Sequence, residues 1–332
     1  MTRRECFAAL AGMGFGSRGY SAEPHEKYPR NLTKADTDCW MTELSNWGRW
    51  RKDDQAGTIN LITAAKRWRL YLDVAGRRYS RAKRGASPNR GARAAALHLG
   101  AAMRSNGVGR TEGHVVDSYT VSFHGNASTH LDALSHFIYG GKIYNGFPGD
   151  AITSWGATKN DVMPFKDGIF TRGLLIDMPA LRGVPYLGDD EAVFPEDLEA
   201  WEKKTGLKVE SGDAVFLRTG RWRRVAEKGP LNLGQKAPGL YASCAKWLKQ
   251  RDIALLGSDV VQDVRPSRVE GVNQPIHQMF LVAAGTPLFD NCDLEALGQA
   301  AGQRRRSAFL FTTAPLRVPG GTGSPANPIA TF

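Results

Sequence analysis

Apolar and polar residues follow two periods along the chain, and the segments they mark alternate in type. Over residues 115–123 the alternation has the period of two expected of a half-buried strand, while IFTRGLLID (169–177), GDAVFLRT (212–219) and IALLGS (253–258) are nearly continuous apolar runs of the kind found in fully buried strands. Pro195 opens a helical pattern through Thr205, with Glu196 and Asp197 in its first turn, and a second helical pattern covers 241–249. Asp53 to Gly57 reads as a turn, 58–63 as a short strand or turn, and Ala64 as the start of a helix. Residues 276–284 have an apolar face compatible with helix or strand, and a last strand is expected over 309–315, ahead of a glycine- and proline-rich end. No internal repeat and no Ser- or Pro-rich linker divides this series. One compact mixed α/β domain over 39–332 is expected, after a tail of residues 1–38.

Composition narrows the class. At 332 residues and 42% hydrophobic content the chain can bury a large core, which excludes disordered, collagen-like and coiled-coil proteins. No apolar run approaches the roughly 18 to 20 residues that a membrane-spanning helix requires. The four cysteines (Cys6, Cys39, Cys244, Cys292) are scattered without a CxxC pair, so each reads as a small buried side chain rather than part of a disulfide framework or thiolate zinc site.

The net charge of +11 invites a nucleic-acid reading until it is located. Between Lys66 and Arg110 twelve Lys and Arg face a single acid, Asp73, and the rest of the chain is balanced at 32 bases and 32 acids. Aromatic residues are nearly absent from 76–93, so no stacking platforms interleave with the basic side chains. The stretch of about 73–112 is therefore expected to be an exposed basic loop, with a small-molecule substrate, not nucleic acid or membrane, as the partner. Arg3 and Arg4 ahead of a short, glycine-broken apolar stretch have a weak export-signal character. The expected location is cytoplasmic, with a periplasmic one as the alternative.

Three of the seven histidines lie in one segment, HGNASTHLDALSH, residues 124–136. His130 and Asp132 are two apart and face the same way on an extended chain, close enough to share a divalent cation, and His136 would join them if the chain turns after Asp132. Imidazole with carboxylate suits zinc or manganese, and a site with few protein ligands leaves room for a water that the metal makes acidic near neutral pH. Hydrolysis is the chemistry that follows.

THLDALSH resembles the H-x-G-T-H-x-D-x-P-x-H signature of the cyclase family, which includes kynurenine-formamidase-like and isatin-hydrolase-like metal-dependent hydrolases. WGRWRKDDQAGTINLIT, TRGLLIDMP, SGDAVFLRTGRW, IALLGSDVVQD, PIHQMFLVAAGTPLFDNCDLEAL and APLRVPGGTGSPANPI resemble its larger, isatin-hydrolase-like branch. The similarity runs from about Asn46 onward and lapses over roughly 73–112. It implies a layered α/β fold of the swivelling β/β/α type, assembled as a homodimer or homotetramer. It also implies that His130 and Asp132 are metal ligands and His136 a general acid/base or substrate-binding group. His277 and Asp290 fall on later positions near the metal that some members use for a second ion, with Asp290 one methylene shorter than the family glutamate. Asp259 falls on an aspartate read as structural.

The chain departs from the signature at its first histidine. Four residues before His130 stands Asn126, and the nearest imidazole is His124. Either Asn126 coordinates through its amide oxygen or a local bulge lets His124 serve, and His124 is favoured. Leu134 replaces the signature proline. The mechanism implied is water attack on an amide, formamide or lactam carbonyl, with the metal polarising it or carrying the hydroxide and His136 exchanging a proton with the departing nitrogen. Phe137, Tyr139, Tyr144 and the Trp47/Trp50 segment are candidates to line a pocket for a flat substrate, whereas Gly125, Gly140 and Gly141 read as turn residues. A lactone hydrolase or dehydrating cyclase could use the same site, and Asn126 also motivates a non-catalytic binding protein.

Overall fold

The computed structural model describes residues 28–68, 97–104 and 114–332. Their strands are β1 (Leu97–Arg104), β2 (His114–Val121), β3 (His130–Asp132), β4 (Ile169–Asp177), β5 (Ala214–Arg218), β6 (Leu255–Ser258), β7 (Leu288–Asp290), β8 (Ala308–Thr313), β9 (Gly323–Pro325) and β10 (Ile329–Thr331), besides two-residue ladders. β3 to β10 form one mixed eight-stranded sheet in the order β9-β3-β7-β6-β5-β4-β8-β10. The central neighbours β7, β6, β5 and β4 run parallel to one another, and the outer pairings are antiparallel. Parallel central strands are covered on both faces, which is why their sequences read as unbroken apolar runs: every residue of β5 and β6 is buried. The chain is thus a single mixed α/β domain around a large curled sheet.

The helices are α1 (Lys34–Glu43), α2 (Met178–Arg182), α3 (Pro195–Thr205), α4 (Arg221–Lys228), α5 (Cys244–Gln250) and α6 (Glu295–Arg304), and all but α4 share one hydrophobic core with the sheet. The bounds of α3 are those its sequence predicts. Pro195 occupies the first turn, Asp197 accepts from the Phe194 amide at 2.8 Å, Gly206 ends the helix in the left-handed region, and Leu198 and Trp201 turn into the core. In the sheet, Phe216 of β5 packs against Phe289 of β7 and Phe309 and Phe311 of β8 with ring centroids 4.9 to 6.4 Å apart, a spacing at which aromatic pairs add to the burial itself.

Residues 276–284 resolve the helix-or-strand ambiguity as helix, of an uncommon kind. One α-helical turn, Pro275–His277, passes into a π-helix, Gln278–Ala284, of which Met279 to Ala284 are all buried. Its last carbonyls need partners from elsewhere in the chain. The Trp47 indole donates to the Val282 carbonyl at 2.7 Å, the Asn46 amide N–H to Ala283 at 2.9 Å, and the Asn46 side chain to Ala284 at 2.7 Å. The Trp-rich segment is therefore a strap across this helix.

Other expectations are corrected. The tail expected through residue 38 contributes Tyr28 and Leu32 to the core and the first half of α1; residues 1–27, with the export-like stretch, lie outside the described residues. Of the two forms expected for residues 58–63, strand or turn, the turn is found, as a 3-10 turn (Gly57–Leu61) held by Thr58 to the Gly285 and Ala254 carbonyls. Of the basic stretch 73–112, residues 97–104 are not loop but β1, paired antiparallel with β2 from Leu97↔Val121 to Arg104↔His114; the remainder lies outside the described residues. Cys39 is disulfide-bonded, against the reading of four isolated cysteines, whereas Cys244 and Cys292 are free and buried. No helix among the described residues is long and apolar enough to cross a membrane.

Candidate metal centre

β3 places the first residues of the site. It lies between β7 and β9, antiparallel to both, with His130 opposite Asp290 and Asp132 opposite Gly323. The two-residue strand period sends His130 and Asp132 to one face of the sheet, and the cross-strand pairing brings Asp290 to His130. After Asp132 the chain turns, with the His136 amide bonded to the Ala133 carbonyl at 2.9 Å, and returns His136 over the same point.

Asp132 is the centre of the arrangement. Its Oδ1 lies 3.1 Å from Nδ1 of His124, 3.4 Å from Nε2 of His130 and 3.9 Å from Nε2 of His136. The side chain is fully buried, yet neither carboxylate oxygen accepts a hydrogen bond. Burial alone would raise its pKa, but His136, His124, His130 and His277 outweigh that and hold it at about 2, so Asp132 is an anion at neutral pH. A buried anion without hydrogen-bond donors is costly unless a cation compensates it. One oxygen each from Asp132 and one nitrogen each from His124 and His130 lie within 4.8 Å of one another, so a divalent ion fits this donor set.

The outer nitrogens of the two ligand candidates are held in a way that directs the inner ones. His130 Nδ1 is 2.9 Å from the Ser128 carbonyl, which leaves Nε2 as the lone pair toward Asp132. His124 Nε2 is 3.2 Å from the Thr322 hydroxyl, leaving Nδ1 inward. Gly323 is the condition for this: a Cβ there would stand 2.8 Å from His124 Cε1 and 2.5 Å from the Leu131 carbonyl oxygen. The structure brings His124, not the Asn126 side chain, to Asp132. Asn126 is exposed and offers its backbone carbonyl to Arg221.

A second group adjoins the first. Asp132, His277 and Asp290 also present ligand atoms within 4.8 Å of one another, so Asp290 reaches the site despite its shorter side chain. His277 Nδ1 is 2.6 Å from Asp263 Oδ2, and its Nε2 is 3.5 Å from Asp290 Oδ2. Burial would lower the His277 pKa, but Asp290 and Asp263 overcome it and raise it to about 10. Gln262 donates to Asp290 Oδ1 at 3.1 Å and fixes that carboxylate in turn. His136, by contrast, is lowered, chiefly by burial, with Asp132 opposing and His124 and His277 adding to the shift. His136 beside the charged Asp132 is placed to exchange a proton.

The remaining candidates divide. Phe137 lies by the site, its ring 5.9 Å from that of His277. Tyr139 and Tyr144 instead anchor loops through hydrogen bonds to Asp38 (2.6 Å) and Asp54 (3.0 Å), and Trp50 packs on the core. Asp259 is a helix anchor: it accepts from the Thr219, Gly220 and Arg221 amides and the Thr219 hydroxyl, all at 2.8 to 3.1 Å. Asp263, Gln262, Asn291 and Arg221 were not singled out from the sequence; the second aspartate of GSDVVQD was the available signal for the first. A cavity of about 650 Å³ lined by Arg172, Trp201, Lys204, Arg306 and Phe309 includes none of the cluster residues.

Comparison with known proteins shows the family and the fold. The Cyclase family model matches residues 34–262. A solved structure described as a novel cyclase aligns with a TM-score of 0.74 at 26% identity, over 87% of this chain and 97% of that one. Isatin hydrolase A from Labrenzia aggregata, bound to benzyl benzoate, aligns with a TM-score of 0.51 at 20% identity over 70% of this chain and 83% of its own. Isatin hydrolase A from Ralstonia solanacearum gives 0.50 at 18% over 71% and 81%. At these two identities the likeness is one of fold. No curated protein sequence matches significantly.

Proposed function

The chain belongs to the cyclase family, and on that premise we propose that it is a metal-dependent hydrolase that opens a carbon–nitrogen bond of a cyclic amide or an aryl formamide. The observation that carries the reading is the buried Asp132 carboxylate, without a hydrogen-bond donor on either oxygen and ringed by inward-facing imidazoles. His124, His130 and Asp132 would hold the ion. Two nitrogens and one oxygen favour zinc, with manganese the harder alternative. A divalent ion there supplies Lewis acidity and lowers the pKa of a water molecule.

The chain's own groups do the rest. His136, about one-third exposed and 3.9 Å from Asp132, takes a proton at Nε2 from the attacking water and returns it to the departing nitrogen. The nitrogen needs that proton more than an ester oxygen would, which favours amides over lactones as substrates. His277, fixed by Asp263, stands opposite as a donor toward the carbonyl side, and the Phe137 ring beside it offers a face to a flat substrate. Asp290, steadied by Gln262, would hold a second ion with Asp132 and His277 only in a state where His277 has lost its Nε2 proton and with it the donor role.

The test is metal analysis of protein purified without chelator, followed by a screen of isatin, N-formylkynurenine and small lactones with added zinc or manganese. About one divalent ion per chain and hydrolysis of an amide or formamide are expected. Absence of stoichiometric metal with negligible affinity for added metal would overturn the reading.

A further inference from the structure

The loop that carries His124 has little packing of its own: His124, Gly125 and Asn126 are all exposed. Its attachment is to two side chains from distant parts of the chain. Arg221, the first residue of α4 and 6% exposed, donates through Nη2 to the Asn126 carbonyl. Asn291, next to Asp290 at the end of β7, donates through Nδ2 to the Gly125 carbonyl at 2.6 Å. The two clamping side chains are bonded to each other, Arg221 Nη1 to Asn291 Oδ1, and Arg221 Nη1 is also 3.2 Å from the Asp259 carbonyl at the end of β6. Thr129, just before His130, closes the ring by donating to the Asn291 carbonyl at 3.1 Å.

Arg221 is an unusual cation. Each of its side-chain acceptors is a neutral amide oxygen, and the negative charges that support it, Asp259 and Asp290, act from a distance. Burial lowers its pKa to about 10, which leaves it charged at neutral pH. A guanidinium is the one side chain that can hold several carbonyls in a fixed planar fork, and Lys could reach only part of this set.

We infer that Arg221 and Asn291 are positioning residues that pull in the Gly125 and Asn126 carbonyls and thereby set the His124 imidazole against Asp132. The clamp explains how a histidine six residues before His130, rather than four, comes to the site. The Asn126 position points its backbone inward to the clamp, and the chain presents its imidazole two residues earlier. The inference rests on the metal-site reading above, with His124 as the third ligand.

The experiment uses Co²⁺ alone as probe, on the full chain, read by visible absorption and by chelator competition. His124→Ala is expected to weaken Co²⁺ binding and change its spectrum. Arg221→Met should weaken binding by about 10- to 100-fold and move the spectrum toward that of His124→Ala, with Arg221→Lys intermediate. Asn291→Asp keeps the acceptor for Arg221 and loses only the donor to Gly125, so it should weaken binding in a folded protein. The deciding measurement is the double variant: with His124 already Ala, Arg221→Met should lower Co²⁺ affinity no further. An equal loss in both backgrounds, or full affinity and an unchanged spectrum in Arg221→Met and Asn291→Asp, would overturn the clamp alone. A wild-type protein that binds no Co²⁺ would overturn the metal reading and the clamp with it.

Discussion

The imidazoles of His124 and His136 are stacked, with centroids 4.1 Å apart and planes within 3° of parallel. Both reach Asp132 Oδ1, but from different positions: His124 is nearer, and its outer nitrogen is held by Thr322, whereas His136 is farther away. On the proposed function, the nearer ring holds the ion and the farther one transfers protons. His130→Ala and Asp132→Ala should therefore each lose metal and activity. His136→Ala should retain stoichiometric metal and lose activity by about 10²- to 10⁴-fold, the usual worth of a positioned acid/base. Metal content and turnover measured on the same preparations check this, and retained activity in His130→Ala would refute the assigned centre.

Asp263 orients His277 through a 2.6 Å contact and also receives the Ile276 amide at 2.7 Å. In Asp263→Asn the shape is kept, but one of the two negative charges that hold His277 protonated is lost. Activity is expected to fall by about 10- to 100-fold while the His124–His130–Asp132 site still binds its ion. Steady-state kinetics with metal content on the same sample separates the two effects; unaltered kinetics would remove Asp263 from the site.

Gly323 is where the sheet makes room for the His124 imidazole. Gly323→Ala introduces a methyl into the space of the His124 ring and the Leu131 carbonyl, so the edge strand β9 or the imidazole must shift. A loss of about 1–3 kcal/mol in stability is expected from overpacking, accompanied by weaker metal binding. Thermal unfolding with and without zinc reads both, and a variant with wild-type values would show that the ring has another place to go.

Glu202 illustrates the acid limb of stability. Burial in α3 pushes its carboxyl upward, but Arg251, Lys208 and the Val209 amide outweigh this and hold it below its ordinary 4.5. Because the folded pKa is the lower one, the stabilisation is present above about 4.5 and disappears as pH falls through the folded value. Glu202→Gln should cost about 2 kcal/mol at neutral pH and flatten the dependence of unfolding free energy on pH below 4.5. Denaturant titrations from pH 3 to 7 test this, and parallel curves for the two proteins would contradict it.

Much of this centre was legible because its first half is local. His130 and Asp132 share a face by the strand period alone, and His136 returns through a turn four residues later. The central strands were legible for a related reason, since β5 and β6 are buried on both faces and carry no polar alternation. The remainder depends on separation in sequence. Asn291 meets Gly125 across 166 residues and Arg221 meets Asn126 across 95, contacts that no local pattern encodes. The π-helix was ambiguous because burial all round removes any period by which to tell helix from strand. His124 was preferred to Asn126 on chemistry, but the contacts around its loop, from Arg221, Asn291 and Gly323, come from distant parts of the chain.

The strand order β9-β3-β7 has a consequence in time. β3, which carries His130 and Asp132, is flanked by strands made about 160 and 190 residues later, and Gly323 arrives beside His124 only after β7 has been made. A nascent chain displaying the HLD segment has neither its neighbours nor the walls that exclude water from Asp132. Ion capture should thus be a late event, following synthesis rather than guiding it, and any lesion that keeps residues 323–325 from docking would leave a largely folded protein with an open, weakly binding centre.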